Sequence, residues 1–243
     1  MRPPSAADVV AIWERGVTQR PLEWALTVLA HCTGEPRAKL AALGIGERDA
    51  RLFAIHAHLF GARLDAYAEC PRCAERLEYV VAGDDFFGRT EPGTEAAALA
   101  LASGDVSLRL RLPDSCDLAA IGACADPAEA RKLLAHRCVA EASRDGIPIR
   151  VVELSDATID AISARLAAAD PRADQLIDLI CPSCAHAWQV ALDVERFLWA
   201  KINALAKRLL REIHVLARAY GWSEHDILAL SATRRAIYLE MAS

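Results

Sequence analysis

No run of about 18 uncharged apolar residues occurs in the 243-residue sequence, which excludes a membrane-spanning helix. The alanine-rich stretch Glu95-Ala96-Ala97-Ala98-Leu99-Ala100-Leu101-Ala102 is too short and too polar at its flanks to serve as one. The opening Met1-Arg2-Pro3-Pro4-Ser5-Ala6-Ala7-Asp8 has no apolar signal core, so export to an oxidising compartment is not expected. Catalytic signatures are missing as well. There is no Gly-rich phosphate loop, no Gly-x-Ser-x-Gly elbow and no His-Glu-x-x-His. The acidic pair Asp84-Asp85 reads as a solvated loop, and the chain is not expected to be an enzyme. A basic excess is lacking too: 28 Lys and Arg stand against 33 Asp and Glu, for a net charge of −5. General attraction to nucleic acid is therefore not expected on electrostatic grounds, which leaves a local basic patch as the route to it. With 53% hydrophobic residues, the chain can bury a sizeable core as one domain or two.

What the sequence does contain is Cys-Pro-x-Cys twice: Cys70-Pro71-Arg72-Cys73 and Cys181-Pro182-Ser183-Cys184. A Cys-x-x-Cys turn puts two sulfurs on one side of a tight loop, and two such turns complete a tetrahedral zinc shell at Zn–S distances of about 2.3 Å. Near-alternating, β-prone segments follow each pair, Glu75 to Val81 and His186 to Leu192, and the residues entering them, Leu64 to Ala68 and Gln175 to Ile180, can also be extended. Each pair is thus expected in a zinc-ribbon-like unit of strand, knuckle and strand. The 107 residues from Ala74 to Ile180 between the pairs must form an insertion that leaves and returns. Closing such a loop costs roughly 5 kcal/mol of chain entropy, against about 10–16 kcal/mol from structural zinc in finger peptides. Structural Zn2+ on Cys70, Cys73, Cys181 and Cys184 is the leading reading. Three others remain: a redox dithiol, which normally opens a helix rather than a strand; disulfides, which need oxidation; and a catalytic zinc, which needs an open position. The deaminase form of the last would carry His-x-Glu, and none occurs. Cys32, Cys116, Cys124 and Cys138 read as core or near-surface fillers.

The fold class expected is α+β, predominantly helical, with two strand–knuckle pairs joined by an inserted α+β region and followed by a C-terminal helical bundle. Residues 1–62 read as a helical region. Pro21 opens a helix that stops at Gly34, and a second runs from Gly46 to Phe60-Gly61. His56 and His58 lie two apart on it, face different directions, and read as solvated or capping residues. Residues 63–82 hold the first knuckle, 83–173 the insertion and 174–192 the second knuckle. Within the insertion, Val106 to Pro113 alternates strictly and reads as a strand whose Arg109 and Arg111 lie on a solvated face. Asp126-Pro127-Ala128-Glu129 starts one helix and Ser155 caps another over 156–169. Ile147 to Val152 reads as a further strand. Residues 193–243 form one long helix to Gly221, with an apolar stripe Val194, Leu198, Ile202, Leu205, Leu209, Ile213, Leu216, Tyr220. Two short helices follow, over 224–230 and 232–241, the first capped by Ser223.

The run Arg211 to Leu230, containing Tyr220-Gly221-Trp222-Ser223, and the following Arg234-Arg235-Ala236-Ile237-Tyr238-Leu239 resemble the T4-type bacteriophage baseplate protein family. Proteins related to that family look to be encoded with contractile phage-tail-like injection systems. Ile45 to Leu52 and the segments around both cysteine pairs are similar to the same group. The resemblance implies a non-enzymatic structural or assembly role in a baseplate, other baseplate or tail proteins as partners, no small-molecule substrate, and a protein that is cytoplasmic during assembly and can join the tail-like particle. Aromatic and arginine residues are enriched at interface hot spots, which nominates Trp222, Arg234, Arg235 and Tyr238 as partner-binding residues. A solvated arginine pair beside a packed tyrosine is the plainer reading. The alternative function is a zinc-ribbon nucleic-acid-binding or regulatory protein, but only Arg72 and Arg76 lie close to the first knuckle, and Arg172 and Arg196 stand alone near the second.

Overall fold

The computed structural model describes residues 4–87 and 99–242. In chain order it forms α1 (Ala6–Gly16), α2 (Pro21–Thr33), α3 (Arg37–Ala41) and α4 (Ile45–Phe60), then the hairpin β1 (Arg63–Glu69) and β2 (Arg76–Ala82) and the short α5 (Asp84–Phe87). Next come β3 (Leu99–Ser103), β4 (Val106–Leu110), α6 (Ser115–Ile121), α7 (Pro127–Cys138), β5 (Val139–Arg144) and β6 (Ile147–Pro148). A 3-10 turn at Val151–Glu153 leads to α8 (Asp156–Ala169), the hairpin β7 (Leu176–Ile180) and β8 (Ala187–Ala191), α9 (Val194–Tyr220), α10 (Glu224–Ala229) and α11 (Ala232–Ala242). Helix accounts for 56%, so the mixed, mainly helical class holds. Among the described residues no helix is long and apolar enough to cross a membrane. Residues 95–98 of the alanine-rich stretch lie outside the described residues; its remainder begins β3.

The chain divides into two compact units, one of Met1–Arg37, Leu52–Ala62 and Asp193–Ser243, the other of Ala38–Arg51 and Arg63–Leu192. In the first, α1 and α2 pack on α9, burying Val9, Ile12, Leu26 and Leu29 with Leu198, Ile202, Ala206, Leu209 and Leu216. Each Val, Leu or Ile side chain so removed from water contributes roughly 1.5–3 kcal/mol. Trp24 meets Trp199 edge to face at 4.9 Å, and the Trp13 indole N–H donates to Asn203 Oδ1 at 2.9 Å. The long helix ends where expected, because Gly221 takes φ 70° and its N–H returns to the Ala217 carbonyl. The expected stripe is buried at Val194, Leu198, Ile202, Leu209 and Leu216, whereas Leu205 and Ile213 are half-buried, Tyr220 is exposed and Ala206 takes a place in the core. Of the two readings of His56 the solvated one is corrected: the residue is buried, with Nδ1 3.1 Å from the Gly61 carbonyl just past the end of α4 and its ring between Phe53 and Phe60. His58 is exposed.

In the second unit, β3, β4, β5 and β6 form an antiparallel sheet in sequence order. Val106, Leu108 and Leu110 on one side of β4 pack with Ala135 and Cys138 of α7 and with Ile159, Ile162 and Leu166 of α8. Helix α8 covers the expected 156–169, with Ser155 Oγ accepting from the Thr158 amide. The strand expected over 147–152 is only two residues long. Pro148 has no N–H to offer the ladder, and the chain turns into the 3-10 segment instead. Asp84-Asp85 begin the helical turn α5 rather than a loop. The N-terminus of α4 is tied to residues far along the chain: Asp170, buried, accepts the Gly46 N–H at 2.8 Å. A Cβ on residue 46 would stand 2.0 Å from Asp170 Oδ1, so only glycine admits that carboxylate.

Candidate metal centre

Both Cys-Pro-x-Cys segments are the tips of two-stranded antiparallel hairpins. β1 pairs with β2 from Arg63↔Ala82 to Glu69↔Arg76, and β7 with β8 from Leu176↔Ala191 to Ile180↔Ala187. Adding 111 to the residue numbers carries the first hairpin onto the second: Cys70 to Cys181, Cys73 to Cys184, Glu69↔Arg76 to Ile180↔Ala187. The backbone repeats in the same register. Ala74 N–H donates to the Cys70 carbonyl and Ala185 N–H to the Cys181 carbonyl, each at 2.9 Å. Cys70 N–H donates to the Glu75 carbonyl at 2.8 Å, and Cys181 N–H to the His186 carbonyl at 2.9 Å. Pro71 and Pro182 preset the turn by fixing φ near −65°.

One strained residue closes each tip. Ala74 and Ala185 take φ values of 60° and 56°, a left-handed conformation that costs an L-residue about 1–2 kcal/mol. Ala74→Gly and Ala185→Gly are each expected to raise stability by about 1 kcal/mol, or roughly 2–4 °C in a chain of this size. Thermal melting of the metal-loaded protein measures it, and an unchanged or lowered melting temperature in both variants would contradict the strain argument.

The two tips meet. The sulfurs of Cys70, Cys73, Cys181 and Cys184 all lie within 4.8 Å of one another. Cys70 Sγ is 3.7 Å from Cys184 Sγ, and Cys73 Sγ is 3.6 Å from Cys181 Sγ. A tetrahedron with a metal–sulfur distance of 2.3 Å has edges of about 3.8 Å, so the spacing between the knuckles is that of a four-thiolate shell. All eight cysteines are free thiols, so no disulfide joins the pairs. Strands follow both pairs, unlike a helix-opening redox dithiol. Cys70 and Cys181 are buried, Cys184 is half-buried and Cys73 is exposed.

The donor chemistry fits a cation. Burial works to raise the Cys70 thiol, but the amides of Arg72 and Cys73 and the thiols of Cys73 and Cys181 outweigh it, and its pKa falls to about 7. For Cys73 the Glu75 amide works downward, whereas hydrogen bonds with Cys184, Cys181 and Cys70, together with burial, push it up to about 12. One sulfur gives up its proton readily and its neighbour resists. Four thiolates this close need a positive charge among them, and a dication supplies it. Four sulfurs also close a tetrahedral shell, leaving no position for a reactive water.

The partner-binding residues nominated from sequence do not form one exposed set. Trp222 and Tyr238 are half-buried and stack edge to face at 4.9 Å, with Tyr220 4.7 Å from Trp222 and 5.8 Å from Tyr238. Arg234 is exposed. Arg235 is not: it is 6% exposed, and it donates from Nε to Glu212 at 3.0 Å and from its guanidinium to the Leu230 carbonyl at 2.6 Å. It clamps α11 to α9, which removes it from an exposed patch.

Sequence reasoning also passed over a buried ion cluster. Arg111 was expected on a solvated strand face, but β4 ends at Leu110, and the arginine turns to Asp117, whose side chain is fully buried. Asp117 Oδ1 accepts from Arg111 at 2.9 Å and from Arg137 Nε at 2.8 Å, and Oδ2 accepts from Arg111 at 2.5 Å and from the Asp114 amide at 3.0 Å. The Asp114-x-x-Asp117 capping pattern was the available signal for it. Cys138 lies fully buried close by, its thiol pushed up to about 12 by burial and then by the Asp117 charge.

No protein-family model, curated protein or solved structure matches the chain.

Proposed function

We propose that this chain is a structural or assembly component of the baseplate of a contractile phage-tail-like injection system, held together by one structural Zn2+ in a zinc-ribbon-like pair of knuckles. The observation that carries the metal assignment is the approach of four sulfurs to within 4.8 Å from hairpins more than a hundred residues apart. Thiolate shells of tetrahedral shape select zinc or iron–sulfur centres, and zinc adds no redox chemistry to a site whose task is to pin a fold. The baseplate assignment is supported by the sequence resemblance of Arg211 to Leu230 and of Arg234 to Leu239. It agrees with the lack of catalytic motifs in the sequence.

The test is genetic and compositional. Removing the chain from a strain that produces contractile particles should abolish complete particles and leave unattached tubes or sheaths in lysates viewed by electron microscopy. The intact chain should sediment with particles or with baseplate intermediates. Full yields of contractile particles from the deletion strain would remove the proposal.

A further inference from the structure

The outward face of α9 carries an unusual charge distribution. At 100° per residue, Lys207, Arg211, His214 and Arg218 fall within roughly 60° of one another, opposite the buried Leu198, Leu209 and Leu216. All four are exposed. They form a straight row about 16 Å long at 1.5 Å per residue. Towards the helix N-terminus the same face continues through Ala204, Ala200 and Arg196, also exposed. The helix has only two acids, Glu195 and Glu212, and both project from the core side; Glu212 is occupied by Arg235 and Arg208. In a chain whose acids outnumber its bases, α9 carries six lysines and arginines against those two glutamates.

We propose that this face docks an acidic α-helix of a partner protein, with carboxylates of the partner spaced three and four residues apart to meet Lys207, Arg211 and Arg218. The alanines at 200 and 204 let a second backbone approach to the 8–10 Å of ordinary helix packing, and the basic row sets its register by charge. The chemistry of the row favours such a partner over two other anionic surfaces. It has no Phe, Tyr or Trp to form a platform for single-stranded bases, and no large apolar side chain to enter a lipid surface. The net charge of −5 opposes general polyanion binding. The inference depends neither on the metal nor on the baseplate assignment.

Fluorescence anisotropy with the full-length protein provides the test, using a labelled 21-residue Ala/Glu/Leu helical peptide whose glutamates are spaced i, i+4, i+7 and i+11. The peptide should bind in low salt, weaken at least tenfold against Lys207→Glu/Arg211→Glu/Arg218→Glu, and weaken similarly against the milder Lys207→Gln/Arg211→Gln/Arg218→Gln. Circular dichroism should show both variants folded, because the changed side chains are exposed. Equal binding of a same-composition peptide with its glutamates at every second position would overturn the proposal. So would tighter binding of a 20-base-pair duplex or of phosphatidylserine vesicles than of the helical peptide.

Discussion

Cys181→Ser is expected to lower bound zinc from one per chain to near zero at micromolar protein and to destabilise the protein by about 4 kcal/mol or more. The figure follows from linkage: a metal present at a thousandfold its dissociation constant stabilises by roughly 4 kcal/mol, and structural four-cysteine sites bind far more tightly than that margin requires. Serine is nearly isosteric but is a poor ligand for zinc at neutral pH, so the change removes one bond and leaves the fold of the tip unaltered. The same loss should follow when a strong chelator strips the wild-type protein, and the variant should then lose nothing further. Elemental analysis and thermal melting, each before and after chelation, measure both effects. Unchanged zinc content together with unchanged melting would dispose of the site. The serine change at Cys116, exposed and outside the cluster, serves as the control and should alter neither.

Asp117→Asn should cost about 2–4 kcal/mol through a separate mechanism. Breaking a buried ion pair at one partner costs about 3–5 kcal/mol, and the lower figure reflects the exposure of the arginines, at 40% for Arg111 and 38% for Arg137. Burial alone would raise the carboxyl, but hydrogen bonds from Arg111, the Asp114 amide and Arg137 outweigh it, and its pKa falls to about 2. A carboxyl depressed in the folded state adds stability that is complete above its unfolded pKa near 4 and disappears as the pH falls through the folded value. Wild-type stability should therefore drop between about pH 4 and pH 2 by an increment that Asp117→Asn lacks. Urea unfolding at pH 7, 4 and 2.5 reads this directly, and parallel pH profiles for the two proteins would show that the cluster contributes nothing.

Features set by neighbouring residues were readable from the sequence. Ser155 and Ser223 cap the helices they were expected to cap, and Gly34 and Gly221 stop the helices before them. The cysteine spacing likewise foretold both hairpin tips. What the sequence could not display were partners that are distant in the chain. Arg235 finds Glu212, 23 residues away, and this turned an expected surface arginine into a buried one. Asp170 reaches Gly46 across 124 residues, and no local pattern announces a cap of that kind. His56 was read as a solvated or capping residue; its Nδ1 does meet the Gly61 carbonyl at the helix end, but the ring is buried between two phenylalanines. The expected strand over 147–152 failed for a local reason that was visible, the missing amide at Pro148.

The division of the chain also has a consequence for its synthesis. Helices α1 and α2 pack on α9, which begins only at Val194. At ribosomal speeds of about 5–20 residues per second, the apolar sides of the first helices wait roughly 10–40 s for that partner. Cys184, by contrast, is made before α9, so the two cysteine tips can meet while the terminal helices are still unmatched. The cell must shield Val9, Ile12, Leu26 and Leu29 throughout that delay, and a truncation ending before residue 193 would leave the apolar sides of α1 and α2 permanently adhesive.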